Sequence, residues 1–192
     1  MNRILKQKYI LNDDIVLEPD EVLRKKSLDV KIPLEKDDEK LLRIMYNHVS
    51  NSQDKNYTDR YSIRPAVGIA AIQLGVNKKL IAIKTEDENG HTHKYMLVNP
   101  KIIKKSDEII YLSNGEGCLS VEIDKYNGIV PRSKSIVVKG YNLFNKKEEI
   151  IEVDNFLAIV FQHELDHLDG TLYFDKFNKI DPLFINEEWV AI

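Results

Sequence analysis

The sequence predicts an α+β fold, with short, mostly antiparallel strands packed around one late helix. Three observations predict it. Several short stretches are rich in Ile, Val, Leu and Tyr and are separated by turn residues. Two of them flank Asp87-Glu88-Asn89-Gly90, where Asn-Gly tolerates the positive φ of a tight hairpin. The only long breaker-free segment with helix signals at both ends comes late, after the strands, rather than alternating with them.

In chain order, the first forty residues are polar, with Pro19 and Pro33 as punctuation. From Asp37, Leu41, Leu42, Met45 and Val49 recur at helical spacing, which predicts an amphipathic helix to about Val49. Ser50 to Arg64 is polar and aromatic and reads as a loop, an insertion at 50–65. Leu80 to Ile83 and Tyr95 to Val98 are the arms of the predicted hairpin. Ile102-Ile103, Ile109 to Leu112, Ser135 to Tyr141 and Glu149 to Val153 read as further strands. Asp154 or Asn155 can cap the late helix, Phe156 to Leu168 continues it, and Gly170 suits its stop. There is no internal repeat and no low-complexity segment, so residues 1–192 are expected to form a single domain.

Composition narrows the function classes. Hydrophobic residues make up 43% and charged residues 31%, the balance of a soluble globular protein. A net charge of -3 with interspersed signs gives no footprint for nucleic acid or an anionic membrane. No apolar run approaches a membrane span, and MNRILKQKYILNDD lacks the apolar core of a secretory signal. One cysteine, Cys118, excludes an internal disulfide and fits a reducing compartment, so a cytoplasmic location is expected.

The late helix carries the chemistry. His163-Glu164-Leu165-Asp166-His167 is an HExxH motif, and residues four apart on a helix share a face, so both imidazoles can reach one ion. Glu164 stands beside the first ligand, where its carboxylate can meet a water on that ion. A catalytic site usually has a third protein ligand. Cys118 is one candidate, and Glu187 or Glu188, at the spacing of thermolysin-like metallopeptidases, is another. The HExxH motif leaves both open.

Two more motifs bear on the choice. Gly115 to Ser120 contains EGCLS, and Gly68 to Gln73 contains GxAAxQ. With QHELDH, these resemble the three signature motifs of the peptide deformylase family, in the family's order and with similar spacing. The resemblance spans about Glu18 to Phe174. It implies a peptide-deformylase-like fold and an enzyme that hydrolyses the formyl group from the N-terminal methionine of nascent polypeptides, releasing formate. It implies Cys118, His163 and His167 as metal ligands, Glu164 as general base, and Gln73 with the Leu119 backbone N–H as oxyanion donors. It also implies one divalent ion, Fe(II) first, with Zn(II), Ni(II) or Co(II) accepted, and a workplace near the ribosome. The 50–65 insertion and the long stretch from Val121 to Gly128 resemble the Gram-positive-like, type II branch.

The residues themselves agree with those roles. The Gln73 amide can donate to an oxyanion, and Glu164 can move a proton from water to the leaving amine. Phe156, Ile159 and Val160 precede His163 by helical intervals and, with Val67 opposite, can accept an unbranched methionine side chain. Gly68 lacks a Cβ and can let a substrate backbone approach. Where relatives carry a second glycine, this chain has Ala66. Arg132 can pair with Glu116 and brace the cysteine segment. His91 and His93 share a strand face but have no third ligand nearby, and read as solvated. The alternatives are a thermolysin-like peptidase built on Glu187 or Glu188, and a non-catalytic binding module that has kept the fold.

Overall fold

A computed structural model of the chain describes residues 3–7, 9–87 and 89–192. Met1, Asn2 and Lys8, from the N-terminal stretch without a signal pattern, and Glu88, from the predicted hairpin turn, lie outside the described residues. The helices are α1 (Lys36–Asn51), α2 (Lys55–Tyr61) and α3 (Asn155–Leu168). The strands are β1 (Gly68–Ala70), β2 (Leu80–Glu86), β3 (Thr92–Lys105), β4 (Ile109–Tyr111), β5 (Arg132–Ser133), β6 (Ser135–Asn142), β7 (Lys147–Asp154) and β8 (Val190–Ala191).

Five strands form an antiparallel sheet in the order β1-β2-β3-β6-β7. A smaller sheet has the order β5-β4-β8, in which β8 runs parallel to β4. Side chains of a strand alternate between its two faces. In β2, Leu80 and Ala82 join Leu41, Leu42, Met45 and Val49 of α1, whereas Ile81 and Ile83 join Ala158, Val160, Phe161 and Leu165 of α3. The large sheet is therefore covered by α1 on one face and α3 on the other. This is why Leu80 to Ile83 is apolar without alternation.

The predicted α+β architecture is present, with two local differences. The two strands read at Tyr95 to Val98 and Ile102-Ile103 are one long strand, β3. Its register shifts between Val98 and Lys101 and again between Ile102 and Lys104. Asn99 takes φ 50 there, and the irregularity accommodates Pro100, which has no N–H for the ladder. The Ser50 to Arg64 stretch is also not loop throughout, because α2 lies within it. The Asp54 carboxylate caps that helix by accepting from the Asn56 N–H at 2.9 Å. Its apolar contacts are the rings of Tyr57 and Tyr61 packed with Tyr9, at centroid distances of 5.5 and 5.4 Å. A seven-residue helix held by tyrosines has no aliphatic stripe to read in advance. Strands β1, β5 and β8, of two or three residues each, are likewise below what periodicity reveals.

Candidate metal centre

Helix α3 begins where β7 ends, with Asp154 at its N-cap position but making no side-chain capping bond, and with Asn155 at φ 48 turning the chain into it. It stops at Gly170, whose φ of 72 and lack of Cβ are both used: a Cβ would lie 2.4 Å from the Arg24 carbonyl oxygen. The intervening turns put His163 and His167 on one face, their rings 5.0 Å apart.

Cys118 comes from the irregular segment between β4 and β5 and meets them. Its Sγ lies 3.3 Å from Nε2 of His167, and one donor atom from each of Cys118, His163 and His167 falls within 4.8 Å of the others. Nδ1 of His163 is 2.7 Å from Glu116 Oε2, which leaves the other ring nitrogen for the centre. Glu187 and Glu188, the rival ligands, are exposed and take no part in this group, the one metal-competent trio among the described residues. His91 and His93 share a single carboxylate, Asp87, at 3.4 and 3.2 Å, outside that trio.

Behind the histidines lies a buried charge network. Arg132 donates to both oxygens of Glu116, at 2.7 and 2.9 Å, so the pairing expected from sequence is present and bidentate. The same guanidinium reaches Asp166, which also faces Lys176 at 3.0 Å. Burial alone would raise the Glu116 pKa, but the bonds from His163 and Arg132 outweigh it and hold it at about 2. Burial drives His167 well below its usual range, and His163 adds to the effect. His163 goes the other way: burial opposes its charge, but Cys118 and Glu116 raise it well above the ordinary value.

Glu164 is 4% exposed, and its Oε2 has no hydrogen-bond partner among the described residues. Burial, reinforced by Glu116, pushes its carboxyl up to about 7 against the opposing pull of His163. Gly68 packs on this carboxylate: a Cβ there would sit 2.4 Å from Glu164 Oε1. The glycine therefore makes room first for the glutamate, a reason that sequence reasoning assigned to the substrate.

Gln73 is buried at the same place. Its Oε1 accepts from the Ala70 N–H at 2.9 Å, and its Nε2 donates to Ser120 Oγ at 3.2 Å and lies 3.5 Å from Cys118 Sγ. A cavity of about 330 Å³ opens here, lined by Val67, Gly68, Gln73, Cys118, Leu119, Phe156, Ile159, Val160, His163 and Glu164. Cys118, His163 and every residue singled out from sequence for catalysis or for the substrate line it, whereas His167, which is buried, and the rival ligands Glu187 and Glu188 do not. Gln53, Arg64 and Leu112 line it too and were not foreseen. Gln53 donates to the Ala66 carbonyl at 3.0 Å and to that of Lys84 at 2.8 Å, so the start of the 50–65 stretch holds the segment that enters β1.

The residues fit a divalent cation on two counts. A sulfur and two imidazole nitrogens converge, which is a donor set for Fe(II) or Zn(II). A buried carboxylate oxygen beside them lacks a partner, which a water in the site would supply.

Residues 12–182 match the family model for polypeptide deformylase. The chain belongs to the peptide deformylase family. Among curated relatives, the peptide deformylase of Malacoplasma penetrans is 43% identical over 178 residues, covering 93% of this chain and 94% of the relative. That of Oceanobacillus iheyensis is 45% identical over 174 residues, covering 91% and 94%. Peptide deformylase 2 of Bacillus subtilis is 39% identical over 183 residues, covering 95% and 98%, in keeping with the Gram-positive-like, type II branch. Among solved structures, a peptide deformylase from Ehrlichia chaffeensis superposes with a TM-score of 0.70 at 28% identity, covering 86% of this chain and 88% of that one. The chain thus acts as a metal-dependent hydrolase that removes the formyl group from the N-terminal methionine of nascent polypeptides. Among the described residues, no helix is long and apolar enough to cross a membrane.

Proposed function

We propose that Cys118, His163 and His167 hold the metal of this deformylase, with Fe(II) as the ion in the cell and Zn(II), Ni(II) or Co(II) as substitutes. The observation that carries this is the approach of the three donor atoms to within 4.8 Å, beside a buried Glu164 oxygen that lacks a partner. A divalent cation held by Cys118, His163 and His167 would supply Lewis-acid chemistry, polarising a carbonyl oxygen and lowering the pKa of water.

The chain's own groups do the rest. Glu164, with a carboxyl at about 7, is poised near neutral pH to take the proton of the attacking water and return it to the leaving amine. Such acid–base work is worth roughly 10²–10⁴ in rate. Nε2 of Gln73 and the Leu119 N–H donate to the oxyanion that forms as the formyl carbon becomes tetrahedral, each worth about 10²–10³. Val67, Gly68, Phe156, Ile159 and Val160 supply apolar walls for the methionine side chain. We assign the whole chain to one domain, with 50–65 as an insertion. Its buried thiol ligand and its nascent substrate both suit the reducing cytoplasm, close to the ribosomal exit tunnel.

The test is protein purified without oxygen, its metal determined, and formate release measured from a formylated Met-Ala-Ser peptide. Iron content with activity that decays on exposure to air supports Fe(II). Full air-stable activity with zinc as the only metal overturns that choice.

A further inference from the structure

We infer that Arg64 is a positioning residue that aims the Leu119 N–H at the reacting carbonyl, an inference that rests on the oxyanion role proposed above for that group. Residues 112–131 carry Cys118 without regular secondary structure, so their backbone groups need partners elsewhere. Arg64 provides three. Its Nη2 donates to the Cys118 carbonyl at 2.9 Å, and its Nη1 to the carbonyls of Leu119 at 3.2 Å and Val121 at 2.9 Å. The Ser120 carbonyl between them accepts from the Glu18 N–H at 2.8 Å. Four consecutive carbonyls are thus held from outside the segment, three of them by one guanidinium.

The consequence follows from peptide geometry. A trans peptide is planar, and its C=O and N–H point in opposite directions. The Cys118 carbonyl and the Leu119 N–H belong to the same peptide unit. Holding that carbonyl toward Arg64 therefore turns the N–H the other way and fixes its direction. Arg64 itself lines the reaction cavity and pairs with no carboxylate among the described residues, so its charge-bearing fork is committed to these carbonyls. It also enters β1 through Pro65, Ala66 and Val67. One side chain thereby ties the substrate-facing segment to the segment that bears the cysteine. Lysine carries its three donors on one nitrogen and cannot reproduce the planar fork whose two nitrogens reach these carbonyls.

The test is Arg64→Lys, with Arg64→Ala beside it, in the zinc-loaded protein. Measured are metal content, melting temperature, kcat and KM on a formylated Met-Ala-Ser peptide, and hydrogen exchange of the 118–121 amides. The expected result in Arg64→Lys is one metal per chain, faster exchange at Leu119, and kcat about 10–10² lower with KM within about threefold, because an oxyanion donor acts on the transition state more than on the bound substrate. Guanidinium ion added to Arg64→Ala is expected to restore part of the lost kcat. If the alanine variant does not fold, the lysine variant carries the test alone. A lower melting temperature with unchanged kcat per bound metal makes Arg64 merely structural and overturns the inference, as does a raised KM with unchanged kcat. Cys118→Ser assayed in parallel keeps the two readings apart: if it retains its metal, the ligand assignment is what has failed.

Discussion

Helices α1 and α3 cover opposite faces of the same sheet, and each buries histidine, yet the histidines have different surroundings. On α3, His163 is held by Glu116 and His167 by Cys118, with Arg132 and Asp166 behind them. On α1, His48 is 4% exposed, and neither ring nitrogen completes a well-formed hydrogen bond among the described residues. The Ile10 backbone and the Asp14 carboxylate are its nearest polar company, and burial pulls its pKa down to about 4. Burial alone turns an imidazole into a neutral core residue. Burial beside a thiol and a carboxylate gives it fixed partners and a defined orientation.

The comparison breaks most visibly at Cys118. Cys118→Ser is expected to lose both bound metal and deformylation, while Glu187→Ala keeps both, as read by metal analysis and formate release. Metal retained in the serine variant would place the third ligand elsewhere. Glu164→Ala comes next: metal stays bound, and kcat falls by about 10²–10⁴. Full activity in that variant removes the glutamate from the mechanism. Glu116→Gln tests the support behind His163. It exchanges a carboxylate held at about 2 for a neutral amide, leaving Arg132 one charge short. A loss of 10–100-fold or so in metal affinity or activity is expected, and wild-type values for affinity, activity and stability alike would remove the brace.

The smallest effect belongs to His48 and concerns stability alone. Its folded value lies below the unfolded one, so between about 6.5 and 4 the unfolded chain binds a proton that the folded chain rejects. The stability contribution is full above about 6.5 and is lost as pH falls toward 4. Between pH 7 and 5 the wild type should lose about 2 kcal/mol from this group. His48→Met should lose less over the same interval by that amount, as measured by denaturant unfolding at the two pH values. Parallel pH profiles would show that His48 is protonated equally in both states.

Much of the site was readable because its parts are local. HExxH works by helical spacing, EGCLS and GxAAxQ are contiguous, and the α3 boundaries carry their own signals. What was not readable depends on contacts across the chain. Arg64 acts on residues more than fifty positions away, and nothing next to it announces that. Gln53 braces Ala66 and Lys84 from a stretch that looked like loop, since α2 is held by tyrosine packing rather than by an aliphatic face. Gly68 was correctly singled out for closeness, but its neighbour is Glu164, on a helix nearly a hundred residues later.

The sequence by itself determined the α+β class, the strand at Leu80 to Ile83, and a helix with two imidazoles and a carboxylate in fixed relation, because periodicity and helix-stop signals act within a few residues. Tertiary structure alone decided that a sulfur, rather than the carboxylate of Glu187 or Glu188, meets those imidazoles. It also decided which carbonyls Arg64 holds. Those outcomes depend on how the sheet faces, α3 and the irregular 112–131 segment pack together, and packing distance is not encoded in sequence separation.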